Sequence, residues 1–230
     1  MIEFDPWYLL VFVPMLLAWY SQVKVRKIYK QYDEQPNRRG LNGLEIAENL
    51  LGHYTLSSIR IENTPGVLTD HYDPQANILR LSDGVARGRS ITALGIVAHE
   101  VGHASQDAEN YRFMRLRTFL GKRVGLITQW SSIAFIGGWI LGFPVLMALS
   151  GAILAGMLLF SVVTLPVERN ASDRALRSLE ETGLAVAEER KGVRIVLRAA
   201  SFTYLTNVVQ RLGSFLFLVV MVAAARGIAD

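Results

Sequence analysis

The chain has no cysteine. That absence removes both a disulfide framework and a thiolate metal site, so a transition metal here must be held by histidine and carboxylate. Histidine is itself scarce, at four residues, which narrows the imidazole donors to His53, His71, His99 and His103. There is no internal repeat, no glycine-rich phosphate loop and no platform of interleaved aromatic and basic residues. The net charge of +4 and the pI near 9.5 do not make nucleic acid an expected partner, because the basic residues bracket apolar segments instead of forming one patch. Charge is sparse at 19% of residues, whereas 51% are hydrophobic and the mean hydropathy is +0.27. A soluble domain rarely shows that balance, and the bilayer is the expected surroundings.

Residues 7–20 are uncharged and apolar, with Trp7, Tyr8, Trp19 and Tyr20 at the ends where an aromatic belt sits. Glu3 and Asp5 precede this segment and Lys24, Arg26, Lys27 and Lys30 follow it, which is the reverse of a cleaved signal peptide. It reads as an anchor over residues 1–22 with its N-terminus outside. Residues 124–167 hold 44 positions without a charge. A single helix of that length would be about 66 Å long against a ~30 Å hydrocarbon core, so two helices are required. Gly142, Phe143 and Pro144 offer one reversal point, and Ser150 with Gly151 a competing one. A last apolar run spans only if the stretch before it is included, which sets a final span at residues 204–226 with Asn207, Gln210 and Arg211 facing protein or snorkelling.

Lysine and arginine number fifteen in residues 21–123 and seven in 168–200, with only Arg211 and Arg226 elsewhere. The positive-inside rule therefore places the polar segments 23–123 and 168–203 on the cytoplasmic side. One span followed by a hairpin returns the chain to that same side, so the span count and the charge count agree. The expected fold is a mainly α membrane protein with about four transmembrane helices and a small cytoplasmic α+β part.

Within the first polar segment, residues 41–51 (LNGLEIAENLL) have apolar positions at helical spacing and Gly52 as a stop. Residues 57–61 and 77–81 are short β-favouring runs, separated by Thr64, Pro65, Gly66 and by the turn-forming residues 70–74, so a small sheet or hairpin is expected. An apolar periodic run from Ile91 to about Asp107 follows Ser90, a good N-cap. The later stretch 171–200 reads as charged and mostly helical, interrupted near Gly183 and Gly192, with a basic face suited to water or anionic headgroups.

The run from 91 carries the chemistry. His99 and His103 lie four residues apart, so on a helix both imidazoles project from one face toward a single ion. Glu100 lies one step round the helix, where a carboxylate reaches a water instead of the metal, and the small Gly102 leaves room beside the metal face. A hydrolytic site needs a third protein ligand and an open position. That ligand is a carboxylate or another histidine. Glu168 follows the hairpin on the same side of the membrane and begins an expected helix over 168–179, yet spacing alone leaves it equally well read as a solvated first-turn glutamate favoured by the helix dipole.

Residues 98–106 (AHEVGHASQ), 165–172 (LPVERNAS), 69–74 (TDHYDP) and 78–82 (ILRLS) together resemble the bacterial YugP-like neutral zinc metallopeptidases of the membrane, and Glu188, Glu189 and residues 199–204 (AASFTY) fit as well. The resemblance implies a zincin-like catalytic part in the bacterial cytoplasmic membrane. It also implies one zinc ion at His99 and His103, Glu100 as catalyst and Glu168 as third ligand. Many zincins of the Glu-ligand type carry an Asp four residues after that Glu. Here Ser172 stands there with Asp173 next, which leaves Asn170 and Asp173 as the orienting groups to consider. An oxyanion donor is needed too, and His71, Tyr72, Tyr111 and Tyr204 are the available types. Residues 78–82 are expected to form an edge strand to which an extended substrate could add. His53, at a helix end, reads as structural.

The expected activity is hydrolysis of peptide bonds in membrane or membrane-proximal proteins, with the bilayer and a peptide substrate as partners and oligomeric state open. The competing class is a zinc-stabilised adaptor. A purely structural site prefers a closed ligand shell and has no need of Glu100. A zinc transporter is disfavoured because the spans lack a buried series of histidines or carboxylates. The topology has a direct test, since no native thiol interferes. A cysteine introduced at Gln75 should escape an impermeant maleimide in intact cells and react after permeabilisation, and labelling in intact cells would reverse the orientation.

Overall fold

The structure, a computed structural model, describes residues 5–227, and the side chains of 122–129, 132, 144 and 224–227 lie outside that description. Glu3 and the first four residues of the expected anchor also fall outside it. A 3-10 turn at Pro6–Tyr8, capped by the Asp5 side chain, leads into α1 (Leu9–Asp33), which continues unbroken through Lys24, Arg26, Lys27 and Lys30. The other elements are α2 (Gly43–His53), β1 (Arg60–Thr64), β2 (His71–Asp73), β3 (Ile78–Ser82), α3 (Asp83–Arg87), α4 (Ile91–Ala108), α5 (Arg112–Leu141), α6 (Pro144–Glu181) and α7 (Ala187–Gly227). Among the described residues three helices are long and apolar enough to cross a membrane: Pro6–Asp33, Val145–Glu181 and Ala187–Ala223.

The chain divides into two compact units. One comprises Met1–Gln22, Leu116–Leu165 and Thr203–Asp230. In it α5 ends at Leu141, Gly142 takes φ 66°, the Phe143 N–H reaches back to the Gly138 carbonyl, and α6 starts at Pro144. Glycine just past a helix end and proline at the first position of the next are what each backbone state favours. Of the two reversal points weighed from the sequence, the chain uses this one, and Ser150 and Gly151 lie inside α6. Ser21 and Thr206 pair their hydroxyls at 3.0 Å, and Tyr8 meets Phe217 at 6.0 Å between ring centroids. Large apolar side chains such as Trp19, Ile133, Ile140 and Val145 face outward. Surfaces of that kind belong to a protein solvated by lipid.

The second unit comprises Val23–Arg115 and Pro166–Phe202. Its sheet runs in the order β1-β3-β2, with β1 parallel and β2 antiparallel to β3. Residues 70–74 were expected as a turn. His71–Asp73 instead forms β2, and the reversal moves to residues 74–77, where Asn77 takes φ 55°. The expectation that 78–82 is an edge strand is overturned: β3 is central, hydrogen-bonded on both sides, with Leu79 and Leu81 fully buried. Substrate addition to it is excluded.

Helix α2 starts one residue past Asn42, whose side chain accepts from the Glu45 N–H while Glu45 accepts from the Asn42 N–H. Such a reciprocal cap is worth about 1 kcal/mol. Helix α2 ends at His53, one residue past the expected stop at Gly52, whereas Gly192 does not interrupt α7, because its bare Cα lets Ile91 and Tyr32 approach. Gly183, at φ 61°, does break the chain as expected. The expectation that a helix begins at Glu168 is corrected as well: α6 passes Pro166 without stopping, so Glu168 sits in mid-helix and the first-turn dipole reading lapses. Ile46, Leu50, Leu79, Leu94, Val97, Val101, Val167, Leu179 and Val193 form the core, each such side chain contributing about 1.5–3 kcal/mol by burial.

Helices α4 and α6 approach closely at Gly102, where an added Cβ would lie 2.7 Å from the Ala171 carbonyl oxygen. Gly→Ala inside a helix ordinarily stabilises by about 0.5–1 kcal/mol. Here the sign should reverse. Gly102→Ala is expected to cost about 1–3 kcal/mol through backbone displacement, measured by thermal unfolding in detergent, and an unchanged or raised melting temperature would contradict this packing.

Candidate metal centre

Helix α4 is positioned from its start. Ser90 accepts from the Ala93 N–H at 3.1 Å and donates to Asp33 at 2.7 Å, and the Thr92 hydroxyl donates to the Tyr29 carbonyl at 2.9 Å. Three turns on, the His99 and His103 rings stand edge to face with centroids 4.7 Å apart. Glu168 of α6 lies opposite them, 2% exposed, with Oε2 at 3.1 Å from His99 Nε2 and 3.5 Å from His103 Nε2. One donor atom from each of the three falls within 4.8 Å of the others. The structure thus brings together three residues that lie up to 69 positions apart in the chain.

Whether this set fits a metal can be judged from donor chemistry and spacing. Two imidazole nitrogens and one carboxylate oxygen suit a borderline divalent ion such as zinc. Donors bound at about 2.05 Å in tetrahedral directions lie about 3.3 Å apart. The separations of 3.1 and 3.5 Å bracket that value. The residues fit the ion.

Support behind the donors comes from both helices. Ser172, one turn after Glu168, places its hydroxyl 3.3 Å from His99 Nδ1, so it occupies the position considered for Asn170 or Asp173. Asp173 is exposed, and Asn170 accepts from Gln106 and Arg174. Gln106, fully buried, has Oε1 at 3.0 Å from His103 Nδ1. The sequence assigns Gln106 no role and puts Arg174 on the basic face of 171–200, whereas the structure places both behind His103. The available signal was spacing, since Gln106 stands three residues after His103 on the same helical face.

Glu100 Oε2 accepts the Tyr72 main-chain N–H at 3.0 Å, which ties this carboxylate to the edge strand β2. Loss of solvent around the partly buried carboxylate pushes it up to about 7, with the Glu168 charge adding to the rise and His99 and the Tyr72 N–H opposing it. A group balanced there can both take and return a proton at neutral pH. The Tyr72 hydroxyl lies elsewhere, near Asn77 and Asp107 at 3.2 and 3.1 Å. His71 is exposed, with Nδ1 2.8 Å from the Thr69 carbonyl. Tyr111 packs against the core, Tyr204 belongs to the apolar unit, and His53 pairs with Glu181 at 3.1 Å. A cavity of about 300 Å³ borders α4 at Thr92 and Ile96, the latter one turn before Glu100. Tyr29, Leu68 and Val85 add to its wall, and Arg26 and Lys30 supply cations.

The chain matches over residues 7–223 the profile of a family described as "Putative neutral zinc metallopeptidase". It is 37% identical over 188 residues to the "Putative membrane protease YugP" of Bacillus subtilis (strain 168), covering 82% of this chain and 84% of that protein. No solved structure matches. Glu168 supplies the one carboxylate of this three-residue cluster. Glu168→Ala should weaken zinc binding by about 100-fold or more, read by competition with a chromophoric chelator, and equally tight binding would remove Glu168 from the site.

Proposed function

This chain belongs to the neutral zinc metallopeptidase family, and on that premise we propose that it is a multi-pass membrane endopeptidase in which His99, His103 and Glu168 hold one zinc ion and Glu100 is the general base. The observation that carries this reading is the convergence of both Nε2 atoms on one Glu168 oxygen, next to a second carboxylate that is not part of that cluster. A zinc ion held by His99, His103 and Glu168 would supply Lewis acidity to the scissile carbonyl and to the attacking water. Glu100 takes the proton from that water and returns it to the leaving amine, a two-way transfer suited to a carboxyl balanced near 7. The Tyr72 N–H holds the carboxylate in place until substrate arrives.

The reading extends to topology. Residues 1–22 form an anchor with its N-terminus outside, 124–167 a transmembrane hairpin and 204–226 a fourth span, so that segments 23–123 and 168–203 meet on the cytoplasmic face of a bacterial inner membrane. The asymmetry of lysine and arginine supports this arrangement. Substrates are membrane or membrane-proximal proteins reaching the site along the bilayer surface. The cavity beside Ile96, with apolar walls, favours an apolar side chain near the scissile bond.

An adaptor that used zinc only to hold α4 against α6 would leave Glu100 without a task. The variant Glu100→Gln separates the two. It should keep its zinc while cleavage of a protein substrate in proteoliposomes falls by about 100- to 10,000-fold, and undiminished cleavage would end the proposed mechanism.

A further inference from the structure

The polar groups behind His103 form a chain whose donors and acceptors can be assigned from one end to the other. Arg174 of α6 has only N–H groups to offer. It donates to both Glu109 carboxylate oxygens, to Ser105 Oγ at 2.7 Å, and through Nε to the Asn170 side chain at 2.8 Å. The Asn170 atom that faces a guanidinium must be its carbonyl oxygen. That same oxygen lies 2.9 Å from the Gln106 side chain, so the Gln106 atom there is the amide nitrogen. The Val167 carbonyl, 2.8 Å from that nitrogen, imposes the same orientation independently. Gln106 Oε1 is thereby turned to His103 Nδ1 at 3.0 Å, and a carbonyl oxygen can only accept. The proton of a neutral His103 therefore sits on Nδ1. Its lone pair is left on Nε2, the atom that faces Glu168.

Burial makes this assignment rigid. Gln106 is fully buried, and a flipped amide would set its NH₂ against the ring and its oxygen against two other oxygens with no water to compensate. The opposite tautomer would aim an N–H into the donor cluster and silence one ligand. His99 has a weaker support, a hydroxyl at 3.3 Å that can rotate to donate or accept. The two ligands are thus held unequally, and His103 is the one whose state is dictated by its surroundings.

We propose that Gln106, oriented by Arg174 through Asn170, is the positioning residue that keeps the His103 proton on Nδ1 and presents Nε2 to the metal. The inference rests on the reading of His103 as a ligand, but its first readout needs no metal. The experiment records ¹⁵N shifts of the His103 ring in metal-free protein and zinc affinity by chelator competition, for wild type and three variants. Gln106→Met keeps the shape without the hydrogen bonds, Asn170→Leu removes the acceptor, and Asn170→Asp retains it. Wild type should show a protonated Nδ1. Gln106→Met and Asn170→Leu should show mixed tautomers and bind zinc about 10- to 100-fold more weakly, with Asn170→Asp within about threefold of wild type. A neutral wild-type ring protonated on Nε2 alone, or an unchanged tautomer in the two disruptive variants, would overturn the proposal. Should one of these fail to fold, the other decides. A wild type with the expected tautomer and no affinity for zinc would defeat the functional reading and leave the tautomer assignment standing.

Discussion

Everything at the site depends on how closely α4 and α6 pack. Gly102 has no side chain, and the Ala171 carbonyl of α6 occupies the space a Cβ would need. Helices this close can share ligands of ordinary length, so His99 and His103 reach Glu168 without leaving their helices. The same contact brings Gln106 within reach of Val167 and Asn170, and Ser172 within reach of His99. Rigid elements, and not loops, carry every donor. A hydrolytic site needs that stiffness because small displacements of a ligand set cost activity steeply.

Much of the helical content was legible because it rests on local rules. The spacing of His99 and His103, the cap at Ser90 and the reversal at Gly142 and Pro144 are statements about neighbouring residues, and the structure bears out each local form. The failures share a cause as well. β2 was missed because Asp70, His71, Tyr72 and Asp73 have turn chemistry, and only pairing with β3 and the bond from the Tyr72 N–H to Glu100 make them a strand. The central place of β3 could not be read from 78–82, since five residues do not disclose that β1 returns parallel on the far side. Pro166 reads as a helix breaker locally, and burial of Val167, Ala171 and Ala175 on both sides of Glu168 outweighs that cost. Of the two glycines expected to interrupt 171–200, Gly183 does so at φ 61°, whereas contact with Ile91 and Tyr32 keeps Gly192 helical.

The polar residues around the donors show where single-sequence reading runs out. An acid four positions after Glu168 was the group to look for, and its place holds Ser172. The stronger support comes instead from Gln106 on the histidines' own helix, backed by a residue pair on α6. Membrane embedding adds a reason for this design. With a large share of the chain given to apolar spans, the polar unit must build its site from few elements, and each of α4 and α6 serves as core, ligand carrier and ligand support at once. The cavity borders α4 at Ile96, one turn before Glu100, and the edge strand β2 holds Glu100 through the Tyr72 N–H.

The central claim is a zinc ion held by two imidazoles and one carboxylate. X-ray absorption at the zinc edge of the purified protein in detergent tests it most directly. The account predicts two imidazole nitrogens together with oxygen donors at about 2.0–2.2 Å, and loss of the imidazole signature when His99 and His103 are both replaced. A spectrum with oxygen donors alone, or one unchanged by that double replacement, would contradict it.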